Sequence, residues 1–299
     1  MRANNCHASK ISETGLTSEL MIKQLNNVHE LPTLPSVARR VNDMLQDINT
    51  PAKELAMVIE KDQAIVPKLL KLVNSAFYGF SQKITSISHA VMLIGYNTVR
   101  NAVVSIGVID SLELKNKFKG YDIAQFWNHA VAVATVSRHL DSLIGNHHKE
   151  NSFTAGLIHD VGRILMANLY PDRFSDALQT MLTEEITLQE AEARYFPLQH
   201  DAIGGYLALR WNLPDVFCKG ISFHHQPAKQ NEDNELASIV HVSDALVHSY
   251  WENKTSGVKY GIVAEAWKLL SSQIEAARQW MPQVWEEVQE ASQLLFDKE

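Results

Sequence analysis

The stretch AGLIHDVGRIL, residues 155–165, decides how the rest of the chain is read. It sets His159 directly before Asp160 inside an apolar run at helical spacing, where neither side chain serves core packing. Neighbouring residues of a helix point about 100° apart, so both reach one object only if it lies over the face between them. A metal ion is such an object. The same demand recurs on either side. His129 lies in FWNHAVAVATVSRHL, His200 opens HDAIGGYLALRW, His224 and His225 stand together in SFHHQP, and Asp244 lies in LASIVHVSDALVHSY. Each sits among residues that favour burial, and a buried imidazole or carboxylate needs a partner. Separate hydrogen bonds would satisfy these groups one at a time; a shared metal site would satisfy them together.

Composition narrows the class. A chain of 299 residues with 45% hydrophobic content can build one large or two ordinary cores. The net charge of −7, without a long block of Lys and Arg, argues against a grip on nucleic-acid phosphates and against an anionic membrane surface. Cys6 and Cys218, far apart, point to a reducing compartment and no disulfide framework. No apolar run approaches the roughly 20 residues that span a bilayer, and MRANNCHASK has no apolar signal-peptide segment, so a soluble, cytoplasmic protein is expected. With 13 histidines in the chain, His7, His29, His139, His147, His148, His241 and His248 are read as surface or core filler.

Residues 1–18 are polar and unpatterned, and fraying is expected there. Helical periodicity starts at about Glu19 and hardly stops. LPTLPSVARRVNDMLQD offers Ser36 as an N-cap and a stripe of Val37, Val41, Met44, Leu45 and Ile48. Thr50 before Pro51 reads as a second cap, leading into a helix through Ile59. A third helix is expected from near Asp62 to Val73, and Ser86 and Asn97 read as caps of two more, ending near Leu112. These form an N-terminal helical subdomain over 19–113. The polar segment LKNKFKGYD, 114–122, is the expected boundary, and a second helical domain fills 121–299, with one helix expected over 151–169. No period-two stretch is long enough for a strand, so the fold class is all-α, a two-part helical bundle.

LPTLPSVARRV at 31–41, with KLLKLVNSAFYGF at 68–80 and ITSISHAVMLIGYNTVRNAVVS at 84–105, resembles the HDOD output domain of bacterial signalling proteins, over about residues 20–290. The resemblance implies a helical N-terminal subdomain, then a region similar to HD-type metal-dependent phosphohydrolases, and a bacterial cytoplasmic signalling role with protein partners. Many HDOD domains lack the HD-site residues; this chain retains them. In the HD pattern the first ligand histidine matches His129, the HD pair His159 and Asp160, and the closing aspartate Asp244. The two-metal subset, such as the HD-GYP phosphodiesterases, adds a histidine with a small residue four positions on, matched by His200 and Gly204, and a double histidine, matched by His224 and His225.

Imidazole and carboxylate without thiolate suit a divalent transition metal such as Fe, Mn, Ni or Zn. Two ions are implied, one on His129, His159 and Asp244 and one on His200, His224 and His225, with Asp160 bridging them. Such ions acidify water and hold a phosphoryl group, which makes hydrolysis of a nucleotide or other phosphate ester the natural reaction. Asp160 and Arg163 are the candidate catalytic residues. Arg163 stands where HD-GYP proteins carry lysine, and it could instead be a solvated helix-end cation. Gln125 stands where a carboxylate ligand is common, and QP with AKQNEDNE replaces the GYP signature after His225, so cyclic dinucleotides are not the expected substrate. Two readings stay open: a metal-dependent phosphohydrolase, or a non-catalytic protein-interaction module with a structural or vestigial metal site. The aromatic loop SAFYGFSQ, with Phe77, Tyr78 and Phe80, is either a partner surface or packed between subdomains.

Overall fold

The structure, a computed structural model, describes residues 16–27, 31–44, 51–74, 83–145, 149–230, 234–251 and 260–296. In chain order the described helices are α1 (Ser18–Asn27), α2 (Ser36–Asp43), α3 (Ala52–Ile59), α4 (Ile65–Val73), α5 (Ile87–Ile94), α6 (Tyr96–Ser111), α7 (Ile123–Leu143) and α8 (Lys149–Ile158). They continue as α9 (Val161–Leu169), α10 (Pro171–Glu184), α11 (Leu188–Tyr195), α12 (His200–Arg210), α13 (Asp215–Phe223), α14 (Glu235–Trp251), α15 (Ala264–Glu275) and α16 (Ala277–Phe296). The fold is all-α; among the described residues the only extended pairing is an isolated bridge between Phe118 and Tyr121. No helix among them is long and apolar enough to cross a membrane.

Local chemistry sets most of the starts. Asp122 accepts from the Gln125 amide to begin α7, and Thr187 and Glu190 form a reciprocal capping box on α11. Ser86 caps α5 as its sequence suggests. Other caps differ. Ser36 is already the first residue of α2, behind Pro35, and makes no cap bond. Asn97 lies inside the first turn of α6, because Gly95 at φ 86° both ends α5 and opens α6. The fraying expected through residue 18 gives way to helix at Ser18, while Thr50 and the loop with Phe77, Tyr78 and Phe80 lie outside the described residues.

Helices α2 and α4 pack on α6, which in turn packs on α8. Helix α7 lies against α8, α14 and α16, and α16 returns to touch α4. The buried apolar side chains on both sides of segment 114–122 form one continuous cluster. Polar struts cross it as well: the Trp211 indole donates to the Pro32 carbonyl at 2.8 Å, and the Asn42 amide to the Asn212 carbonyl at 2.6 Å.

Two features aim the packing at one spot. The helix expected over 151–169 is broken, with His159 and Asp160 in the turn between α8 and α9 and Asp160 at φ −99°, ψ 4°. The break lets His159 Nε2 come within 3.4 Å of Asp160 Oδ2, a convergence that neighbours about 100° apart on a straight helix do not make. Two residues on, Gly162 lets α9 touch α12 backbone to backbone. A Cβ at Gly162 would stand 2.0 Å from the His200 carbonyl oxygen and 2.8 Å from the Gly204 amide nitrogen. Gly204 is close on its other side too, where a Cβ would stand 2.9 Å from a methyl of Ile221. This contact carries His200 up to the HD turn. Gly162→Ala is therefore expected to lower unfolding free energy by about 1–3 kcal/mol in urea titrations, as overpacking does, and to reduce metal uptake by the variant that still folds.

Candidate metal centre

The seven side chains singled out from the sequence converge on one place: His129, Asp160, His225 and Asp244 line a cavity of about 740 Å³, and His159, His200 and His224 lie fully buried beside them. His129 comes from the middle of α7, His159 and Asp160 from the turn before α9, His200 from the first turn of α12, His224 and His225 from the end of α13, and Asp244 from α14. Ligand atoms of His129, His159 and Asp244 lie within 4.8 Å of one another, and so do those of His200, His224 and His225. Asp160 faces both groups. Its Oδ1 is 3.1 Å from His200 Nε2 and 4.0 Å from His224 Nε2, while its Oδ2 is 3.4 Å from His159 Nε2 and 3.9 Å from His129 Nε2.

The rings are turned by what holds their far sides. His159 Nδ1 donates to the Gly156 carbonyl at 2.7 Å, and His224 Nδ1 to the Ile221 carbonyl at 2.6 Å. His200 Nδ1 donates to the Glu192 carboxylate at 2.5 Å. Each bond fixes the proton on Nδ1 and leaves the Nε2 lone pair facing inward, the state a metal ligand requires. His200 and His224 thus bring two acceptor nitrogens to 3.4 Å, an approach that a shared cation stabilises. Nε2 of His129 and His159 and Oδ1 of Asp160 and Asp244 are buried without a well-formed hydrogen bond, held only by close ion-pair contacts such as His129 Nε2 to Asp244 Oδ1 at 3.1 Å. Orphaned polar atoms of this kind cost stability, and a divalent cation among them would satisfy all four. The residues fit a metal.

Electrostatics point the same way. Burial raises the Asp160 pKa, but the Arg163 guanidinium and the imidazoles of His159 and His200 override it and hold the carboxyl well below its ordinary range. Burial likewise works against Asp244 ionising, and His248 and His129 reverse the balance. His224 and His225 are lowered well below the ordinary imidazole value by burial, then by neighbouring histidines. His129 is lowered by burial and His248, whereas burial at His159 is outweighed by Asp160 and Asp244, which raise it. Ionised carboxylates beside neutral His129, His224 and His225 match the protonation state of a ligand set, while His159 would have to give up its proton to a bound ion.

Arg163 is not the solvated helix-end cation considered above. It is 9% exposed, pairs with Asp160 Oδ2, and donates from Nε to Glu192 at 3.0 Å. Gln125, exposed on the first turn of α7, lines the cavity at the place of the missing carboxylate. Sequence reasoning missed three residues. Glu192 is fully buried beneath His200. His248, set aside as filler, lies 3.2 Å from Asp244 Oδ1 and stacks on Tyr260 at 3.8 Å between ring centroids. His241, also set aside, accepts from the Val263 amide and bonds the His224 backbone, tying the His224–His225 turn to α14. The spacing of His241, Asp244 and His248 along one helical face is the signal that would have found the last two.

The sequence profile of the HDOD domain family matches residues 31–227. The chain belongs to the HDOD family. An uncharacterized protein of Treponema pallidum (strain Nichols) is 28% identical over 229 residues, which cover 75% of this chain and 43% of that protein, so this HDOD chain spans less than half the length of its curated relative. An HDOD domain protein of unknown function from Geobacter sulfurreducens superposes with a TM-score of 0.72 at 24% identity, over 91% of this chain and 97% of that one. A proposed phosphohydrolase from Shewanella amazonensis SB2B superposes with a TM-score of 0.67 at 22% identity, over 91% and 97%. At these identities the likeness establishes the HDOD fold.

The lowered imidazoles give a pH dependence. Below the ordinary value of 6.5 the unfolded chain takes up protons that folded His224 and His225 refuse, so their contribution is whole above that pH and is lost as pH falls. His159, raised, acts in the opposite sense but alone. The chelated protein should therefore show a lower urea midpoint at about pH 5.5 than at about pH 7.5, and His225→Gln should shrink that difference.

Proposed function

We propose that this HDOD protein is a metal-dependent phosphohydrolase acting on a phosphate ester or nucleotide, in a bacterial cytoplasmic signalling role. The observation that carries the reading is the set of inward-facing Nε2 atoms of His159, His200 and His224, each fixed from behind, gathered beside the Asp160 and Asp244 carboxylates that line the cavity. The description of the Shewanella relative as a proposed phosphohydrolase agrees with it. One ion would be held by His129, His159 and Asp244 and the other by His200, His224 and His225, with one oxygen of Asp160 toward each. Fe, Mn, Ni or Zn suit these nitrogen and oxygen donors. When bound, such ions polarise a phosphoryl group and supply a nucleophile from water at neutral pH.

The chain's own residues do the rest. Asp160 stays ionised and spans the two ligand groups. Gln125, one helical turn before His129 on α7, lines the cavity and offers an amide to the ester. The Tyr121 hydroxyl, buried at the cavity without a hydrogen-bond partner and kept protonated by burial, can donate to a phosphoryl oxygen. Such a preorganised donor acts where charge develops during hydrolysis.

A second reading, a non-catalytic interaction module, is favoured by Arg163, which already compensates Asp160 from inside the protein. Metal analysis and turnover separate the two. Protein prepared with Fe, Mn, Ni or Zn should hold more than one equivalent. It should hydrolyse at least one member of a panel of nucleotides and generic phosphoesters. Asp160→Ala should lose more than the roughly 10–100-fold that removal of an outer hydrogen-bond partner causes. Full loading without turnover, or turnover equal in Asp160→Ala, would favour the module.

A further inference from the structure

Behind the cluster runs a second line of buried charge that the metal reading alone does not use. Glu192, on α11, is completely buried. One of its oxygens accepts from His200 Nδ1 at 2.5 Å and from the His200 amide at 3.3 Å; the other accepts from Arg163 Nε at 3.0 Å. Arg163 Nη1 in turn donates to Asp160 Oδ2. The path Glu192–Arg163–Asp160 therefore ends on the oxygen that faces His159 and His129, whereas Glu192–His200 ends beside Oδ1.

We propose, resting on the dinuclear reading above, that Glu192 and Arg163 are positioning residues that make the two metal positions unequal. Glu192 fixes the direction of His200 Nε2, so the His200, His224 and His225 position, with Asp160 Oδ1, fills first. Arg163, anchored to Glu192, occupies Asp160 Oδ2 as an internal cation and repels a second cation at the His129, His159 and Asp244 position. That position fills only when Arg163 gives up Oδ2. Because Arg163 lines the cavity, the guanidinium then released faces the space where a phosphoryl oxygen would lie. Metal occupancy at one position and anion recognition thus share a single side chain.

Calorimetric titration of chelated protein with Mn²⁺ tests this without turnover. Wild type should bind two ions with affinities at least about tenfold apart. Glu192→Gln should weaken the tighter ion by about 10–100-fold. Arg163→Gln combined with Glu192→Gln removes one buried charge of each sign, a milder change than removing Arg163 alone, and leaves Asp160 to the surrounding imidazoles. It should weaken the first ion, tighten the second and close the gap to within about threefold. Arg163→Lys keeps the charge and should keep the gap, which a merely structural role for Arg163 does not require. Should the double variant lose its cooperative unfolding transition, Glu192→Gln and Arg163→Lys decide alone. Two equal sites in wild type, or a gap that survives the double variant, would overturn the proposal and leave the dinuclear reading standing. No Mn²⁺ bound by wild type would overturn both.

Discussion

An ionised carboxylate with 2% exposure is the constraint on which this structure turns. Removed from water, Asp160 is tolerated only if positive charge and hydrogen-bond donors are arranged around it, since an uncompensated buried charge costs several kcal/mol. Arg163 from the next turn supplies one full charge. His159 beside Asp160 supplies a second partner, and imidazoles from α7, α12 and α13, all distant in sequence, supply the others. The tertiary fold of the C-terminal part is therefore tied to one side chain. Any packing that failed to bring α12 and α13 to the HD turn would leave Asp160 stranded.

The backbone makes that convergence possible in two ways. The interruption between α8 and α9 brings His159 and Asp160 together, which a continuous helix would hold apart. The contact at Gly162 and Gly204 removes the side-chain layer that separates packed helices at the usual 8–10 Å. Behind these, carbonyls of Gly156 and Ile221 turn His159 and His224. In each case the donor and acceptor are three residues apart, so the last turn of a helix orients its own histidine. His200, at the start of a helix, has no such carbonyl behind it, and the buried Glu192 takes that part.

Residues that break an apolar period are visible in a linear sequence, which is why the seven ligand candidates were legible. His129 or Asp244 in a run of Val and Ala is a local anomaly, and its identity alone signals a demand for a partner. Glu192 was not legible for the converse reason. In QEAEARY it sits among polar residues, where one more glutamate reads as a solvated face. His241 and His248 break the apolar run of α14 no less than Asp244 does, and they were set aside because the HD pattern assigns them no place. The HD break was hidden because AGLIHDVGRIL satisfies helical periodicity throughout; the turn is selected by tertiary contacts, not by a proline or a cap. Helix existence followed from the period almost everywhere, while caps such as Ser36 and Asn97 shifted by one or two positions because proline and glycine nearby fixed the backbone first.

The phosphohydrolase reading rests on the clustered histidines and aspartates holding cations. Anomalous diffraction from crystals grown with Mn²⁺, collected on either side of the manganese edge, tests that most directly. The account predicts peaks within coordinating reach of His200, His224 and His225 and of His129, His159 and Asp244, with a carboxylate oxygen of Asp160 toward each. Peaks confined to the protein surface, or none at these side chains in a crystal that takes up manganese elsewhere, would contradict it.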